Sequence, residues 1–126
     1  MGQKDDWLTR KLGRLYLRIA NWRQPRTIEC DKYRDYLKAG CKQATFGDSS
    51  ELVVLQLGGD SCFQLSYIYN KVEDNTVLIV EGIQKYKDLW RQLLANERVR
   101  VTFDLYYCGI VLFDKKRHKQ NYIINF

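Results

Sequence analysis

The chain has 126 residues, of which 45% are hydrophobic and one is proline, and its net charge at pH 7 is +6. This length permits one domain, and this composition excludes a disordered chain. No apolar run reaches the roughly 18 residues of a membrane span. Because the charged start at residues 4–6 also lacks the apolar segment of a secretory signal, we expect a cytoplasmic protein.

The first predicted element is a helix that Asp5 and Asp6 open and that runs to about Arg23. Negative charge in a first turn suits the helix dipole. Gln24 and Pro25 end this helix, because the residue before a proline is disfavoured in helical geometry. An apolar stripe at helical spacing is expected to pack on the domain: Leu8, Leu12, Leu15, Ile19 and Trp22, with Tyr16 beside them.

The other side of this helix mixes apolar and basic residues. At about 100° per residue, Trp7 and Leu17 fall in the same third of the helix circumference as Arg10, Arg14 and Arg18. The inward stripe already supplies a packing face, so this apolar pair is surplus to folding. We interpret the five residues as an interaction surface.

The middle of the chain predicts a second helix and then strands. The second helix covers residues 31–44, and the almost wholly apolar run 52–57 predicts the first strand. Gly58-Gly59-Asp60-Ser61 predicts a hairpin turn. A return strand then alternates Phe63, Leu65, Tyr67 and Tyr69 with Cys62, Gln64, Ser66 and Ile68.

The last third predicts one helix between strands. Residues 76–80 form a β-branched strand and residues 82–96 a helix. A long strand follows from Val99 to Phe113, with a bulge or bend at Gly109. After a polar turn, Tyr122, Ile124 and Phe126 alternate in a closing strand.

These elements predict one α+β domain over residues 1–126. Its basic helical part covers residues 1–46, and its sheet covers residues 47–126 with the helix 82–96 as a crossover. The predicted order is α-α-β-β-β-α-β-β. Because short turns join antiparallel strands, we expect a mostly antiparallel sheet of five or six strands.

The charge is unevenly distributed along the chain. Residues 1–44 hold 11 Lys and Arg against 5 Asp and Glu, a net charge of +6. Residues 45–114 hold 6 against 10, a net charge of −4. A basic turn follows at Lys115, Lys116, Arg117, His118 and Lys119. Such asymmetry concerns partners more than the fold.

The cysteines do not predict a metal or disulfide site. Cys30, Cys41, Cys62 and Cys108 are widely spaced, and zinc sites need close ligand pairs. We expect reduced, buried thiols, no metal and no cofactor. His118 has no nucleophile or carboxylate partner that the sequence identifies, and Glu81, Asp104 and Asp114 need not form a pair. The sequence therefore favours a protein that is not an enzyme.

Three function classes remain open. Aromatic residues and arginine are enriched at protein interfaces, so the first helix favours a protein partner or a second copy of the chain. The arginine row and the basic turn 115–119 equally suit phosphates, which makes nucleic acid the alternative. A small-ligand pocket between sheet and helices is the third class, lined by Tyr67, Tyr69, Tyr106 and Tyr107.

Overall fold

A computed structural model describes residues 7–58 and 61–125, with the side chains of all but Ser61 and Cys62. The chain divides into two compact units, Met1–Ser49 and Ser50–Phe126. No helix in the described part is long and apolar enough to cross a membrane. Four helices and seven strands occur in these residues: α1 (Trp7–Arg23), β1 (Thr27–Glu29), α2 (Arg34–Gly40), β2 (Thr45–Phe46), β3 (Leu52–Gln56), α3 (Ser61–Lys71), β4 (Val77–Glu81), α4 (Lys87–Ala95), β5 (Val101–Asp104), β6 (Cys108–Leu112) and β7 (Gln120–Ile123).

The first unit is built on the close packing of α1 against α2. Two glycines permit this approach: a Cβ added at Gly13 would lie 2.5 Å from the Tyr36 ring, and one at Gly40 would lie 2.2 Å from the Leu17 carbonyl oxygen. The strand β1 precedes α2 in the sequence and β2 follows it, and the two strands pair in parallel. The buried face of α1 consists of Leu12, Gly13, Tyr16, Ile19 and Ala20.

The predicted first helix is confirmed over Trp7–Arg23, and Asp5 and Asp6 lie outside the described residues. One member of its predicted inward stripe was wrongly placed, because Trp22 is 62% exposed. The second helix is shorter than the predicted range 31–44. It ends at Gly40, and Cys41 after it is extended with φ −144° and ψ 91°.

The second unit is a mixed sheet in the order β3-β4-β6-β5-β7. The pairs β3–β4 and β5–β7 are parallel, whereas β4–β6 and β6–β5 are antiparallel. All five residues of the central strand β4 are buried, which means that both of its faces are covered. The main core lies on the α3 and α4 side and includes Val53, Ile68, Leu78, Trp90, Leu93 and Val111.

The α+β class is confirmed, but the predicted sheet was wrong in three respects. It is mixed rather than mostly antiparallel, the described strands number seven, and the element order differs from the predicted one. One cause is residues 61–71, which form α3 rather than a return strand. The short strands β1 and β2 were also not predicted. The strands β3 and β4 are parallel and α3 connects them in the sequence, as a crossover connection requires, so the predicted antiparallel hairpin was wrong. Gly59 and Asp60 of the predicted turn lie outside the described residues.

The predicted long strand 99–113 is a hairpin of β5 and β6. Tyr106 adopts a left-handed backbone with φ 71°, and the Leu105 N–H donates to the Cys108 carbonyl at 3.0 Å. Gly109 does not form a bulge, since it lies in regular register opposite Val80 and Asp104. The predicted closing strand is confirmed as β7, which ends at Ile123, and Phe126 lies outside the described residues. The predicted strand 76–80 is confirmed as β4. The predicted helix 82–96 is confirmed over Lys87–Ala95 as α4, and residues 82–86 before it are not helical.

The cysteine prediction holds for the three residues whose side chains are described. Cys30, Cys41 and Cys108 are free thiols and are buried. The Cys41 thiol donates to the Pro25 carbonyl at 3.2 Å. The fourth, Cys62, has its side chain outside the described part.

Candidate interaction surface

The side of α1 that faces away from α2 carries arginines between two tryptophans. Trp7 is 58% exposed and Trp22 is 62% exposed, at opposite ends of the helix. Arg10, Arg14 and Arg18 are exposed between them. We call these five residues the α1 outer surface. At 1.5 Å per residue the two tryptophans are about 22 Å apart along the axis.

Helical geometry explains why these residues share one side. Spacing of about 100° per residue puts Trp7 and Trp22 within about 60° of one another, with Arg14 and Arg18 near the same direction. The residues that contact α2, such as Gly13 and Tyr16, fall on the opposite side. The packing of α1 against α2 therefore leaves the three arginines exposed and both indoles more than half exposed.

Leu17 does not belong to this surface in the way the sequence suggests. Its side chain is partly buried, and its backbone carbonyl lies where a Cβ on Gly40 would collide with it. Leu17 therefore lies at the boundary between the outer surface and the α2 contact. Trp22, which the sequence assigned to the inward stripe, supplies the second exposed aromatic side chain. Its ring contacts the Arg23 guanidinium, 5.0 Å from the ring centroid.

The electrostatics of α1 are one-sided. Residues 7–23 contain five Lys and Arg and no Asp or Glu. Among the described residues, no hydrogen bond or ion pair involves the side chains of Arg10, Arg14 and Arg18. An exposed row of cations attracts an anionic partner, and this attraction weakens with salt.

Cations of α2, by contrast, are occupied within the first unit. The Arg34 guanidinium donates to the Cys30 carbonyl at 3.2 Å and lies 3.5 Å from an Asp31 carboxylate oxygen. Lys38 donates through Nζ to the Ala44 carbonyl at 2.5 Å. These two cations therefore make contacts within their own unit, whereas Arg10, Arg14 and Arg18 make no hydrogen bond or ion pair with the described residues.

The basic turn 115–119 is also partly occupied. Lys119 donates through Nζ to the carbonyls of Asn96 and Val99 at 2.7 and 3.1 Å. The Arg117 guanidinium lies 3.7 Å from the Asp114 carboxylate. Lys115, Lys116 and His118 remain exposed in the same turn. The five residues therefore form a weaker phosphate-binding cluster than their sequence suggests.

The second unit contains a pocket of about 490 Å³. The four tyrosines predicted to line a pocket, Tyr67, Tyr69, Tyr106 and Tyr107, do not line this one. Burial raises the pKa of Tyr69 above its ordinary value. The lining is mixed in charge: Val72, Glu73, Asp74, Glu97, Arg98, Arg100, Phe113 and Lys115.

The carboxylates that the sequence offered as catalytic candidates act in separate local contacts. The Glu81 carboxylate accepts a hydrogen bond from the Gln56 amide at 3.1 Å. Asp104 and Asp114 each accept one from a backbone N–H two residues later, at 2.9 and 3.0 Å. No group of three or more His, Cys, Asp or Glu in the described residues is arranged to hold a metal ion.

Comparison with known proteins adds no assignment. No family model, curated protein or solved structure matches the chain. The arrangement of exposed residues on α1 is therefore the strongest available guide to function.

Proposed function

We propose that this protein is a non-enzymatic interaction module whose α1 outer surface binds an acidic surface on a partner protein. One observation carries the proposal: a helix fixed on its other side displays two tryptophans, each more than half exposed, around a row of arginines that form no ion pair with the described residues. Tryptophan and arginine are the residues most enriched among those that dominate binding energy at protein interfaces. Indoles that are more than half exposed gain free energy when a partner covers them.

Nucleic acid is the second candidate, and the arginine row favours it. Arg10, Arg14 and Arg18 repeat at about one helical turn, which suits contacts with successive phosphates. The occupied cations of the turn 115–119 reduce this support, because Lys119 and Arg117 already bind groups of their own unit. We therefore place a protein partner first.

Two sets of variants with matched controls test the proposal. The triple variant Arg10→Gln, Arg14→Gln and Arg18→Gln removes three positive charges from α1. Its control, Lys85→Gln, Lys87→Gln and Arg91→Gln, removes three positive charges from exposed positions of the second unit. Trp7→Ser with Trp22→Ser removes the exposed indoles, and Phe63→Ser with Tyr67→Ser removes two exposed rings from α3.

Each tagged variant is used to capture proteins from nuclease-treated cell extract, with quantification by mass spectrometry. We expect a set of acidic proteins to be bound by the wild type and both controls, and to fall at least tenfold with both α1 variants. Equal capture by all variants would exclude the α1 outer surface as the binding site. Fluorescence anisotropy with random oligonucleotides runs in parallel. Tight, salt-dependent binding that the arginine variant abolishes, together with no specific protein capture, would favour nucleic acid.

A further inference from the structure

The strand β7 forms an open edge of the sheet in the second unit. The Gln120 and Ile124 N–H groups donate to the Arg100 and Asp104 carbonyls of the β5 side, each at 2.8 Å. Backbone groups alternate in direction along a strand. The N–H and C=O groups of Asn121 and Ile123 therefore point away from β5, and no described strand lies beyond them.

The side chains of this edge are apolar and exposed. Ile123 is 87% exposed, Tyr122 43% and Ile124 42%. Phe103 on β5 stacks on Tyr122 with 5.4 Å between ring centroids, which holds that ring against the sheet. An exposed edge strand with β-branched and aromatic side chains favours addition of another strand.

The lack of charged side chains around β7 favours a second copy of the chain as the partner of this edge. Residues 120–126 contain no charged side chain, although the whole chain has a net charge of +6. The adjacent Lys119 is held by carbonyls of its own unit. Two copies of this segment can therefore meet without placing like charges opposite one another, whereas the basic helices of two copies would repel.

We propose that β7 pairs in antiparallel fashion with β7 of a second copy, with Ile123 opposite its own counterpart at the two-fold axis. In this register the outward backbone groups of Ile123 bond to one another across the axis. Asn121 lies opposite Asn125. The Asn121 Oδ1 atom accepts a hydrogen bond from the Thr102 hydroxyl at 2.6 Å, so its amide NH2 group is the part that meets the Asn125 side chain. Tyr122 lies opposite Ile124, which is a favourable aromatic and β-branched pair. The match is self-complementary on both faces of the strand, as a two-fold interface requires.

The pairing also limits the assembly to two copies. Each copy contributes the same edge, so one contact pairs the two β7 edges with one another and leaves neither β7 edge open to a third chain. A single strand pair buries less than the roughly 1,600 Å² of a standard interface. We therefore expect a dimer that dissociates on dilution.

Sedimentation velocity over a range of protein concentrations tests the dimer. We expect the wild type to shift from monomer to dimer as concentration rises, and Ile123→Lys to weaken dimerisation at least tenfold by placing two cations at the axis. The control Phe63→Lys introduces the same charge at a position on α3 that is 82% exposed, and it should dimerise like the wild type. Both positions are exposed, so thermal melts should show both variants folded.

A charge swap tests the register. Ile123→Asp and Ile123→Lys should each be monomeric alone, and an equimolar mixture should restore a dimer because the opposite charges face one another. A mixture that stays monomeric overturns this register. A monomeric wild type at every concentration, or a dimer that Ile123→Lys leaves unchanged, overturns the proposal. The α1 arginine variant should dimerise normally, so failure of the dimer and failure of α1 binding are distinguishable.

Discussion

At the scale of single residues, the absence of a side chain at Gly109 permits close packing in the core of the second unit. It lies in β6 under the indole of Trp90, which is 6% exposed. A Cβ added at Gly109 would lie 2.3 Å from the Trp90 Cη2 atom. The glycine is therefore required for close approach of α4 to the sheet.

Gly109→Ala should lower the free energy of unfolding by about 1–3 kcal/mol, the usual cost of overpacking a filled core. Combining it with Trp90→Phe should cost less than the sum of the two single changes, because the smaller ring leaves space for the methyl group. Urea unfolding of the wild type, the two single variants and the double variant gives the coupling free energy between the two positions. Additive losses would show that Gly109 and Trp90 do not contact one another.

At the scale of elements, the accuracy of prediction from the sequence depended on how strongly each pattern favoured one period. The helix α1 was predictable because its apolar positions repeat over 17 residues. The helix α3 was not, because Phe63, Leu65, Tyr67 and Tyr69 also alternate as a strand does, and short runs fit both periods. Packing decided the outcome, since Leu65, Ile68 and Val72 at helical spacing lie in the core.

The surface of α1 was predictable in part for the same reason. The three arginines and Trp7 were identified from the helix wheel, and they are exposed. The helix wheel assigned Leu17 to the outer surface and Trp22 to the inward stripe. Correcting these two assignments required knowledge of where α2 packs, which depends on the close approach at Gly40. A helix wheel gives relative directions of side chains but not the position of the neighbouring helix.

Arg98 holds the end of α3 from outside the helix. Its guanidinium donates to the Tyr69 carbonyl and, at 3.1 Å, to the Val72 carbonyl, where the last helical carbonyls lack partners. Arg98→Met should lower the free energy of unfolding by about 1 kcal/mol and reduce hydrogen-exchange protection near Val72. Arg91→Met is the control: Arg91 forms an exposed pair with Asp88 at 3.2 Å, so its loss should cost almost nothing. Equal effects of the two substitutions would contradict a capping role.

At the scale of the whole molecule, each compact unit has its own exposed apolar surface. The first unit has the α1 outer surface, with cations and no acidic residue. The second has the uncharged edge strand β7. This difference in charge is the reason why we propose different occupants, an acidic partner for α1 and a second copy for β7.

Hydroxyl-radical footprinting of the protein with its captured partner tests the central proposal most directly. Trp7 and Trp22 are exposed enough to be oxidised in the free protein, and Phe63 and Tyr67 on α3 serve as internal references at 82% and 50% exposure. We predict that partner binding lowers oxidation of both tryptophans several-fold and leaves both references unchanged. Undiminished oxidation of Trp7 and Trp22 in the complex would contradict binding through the α1 outer surface.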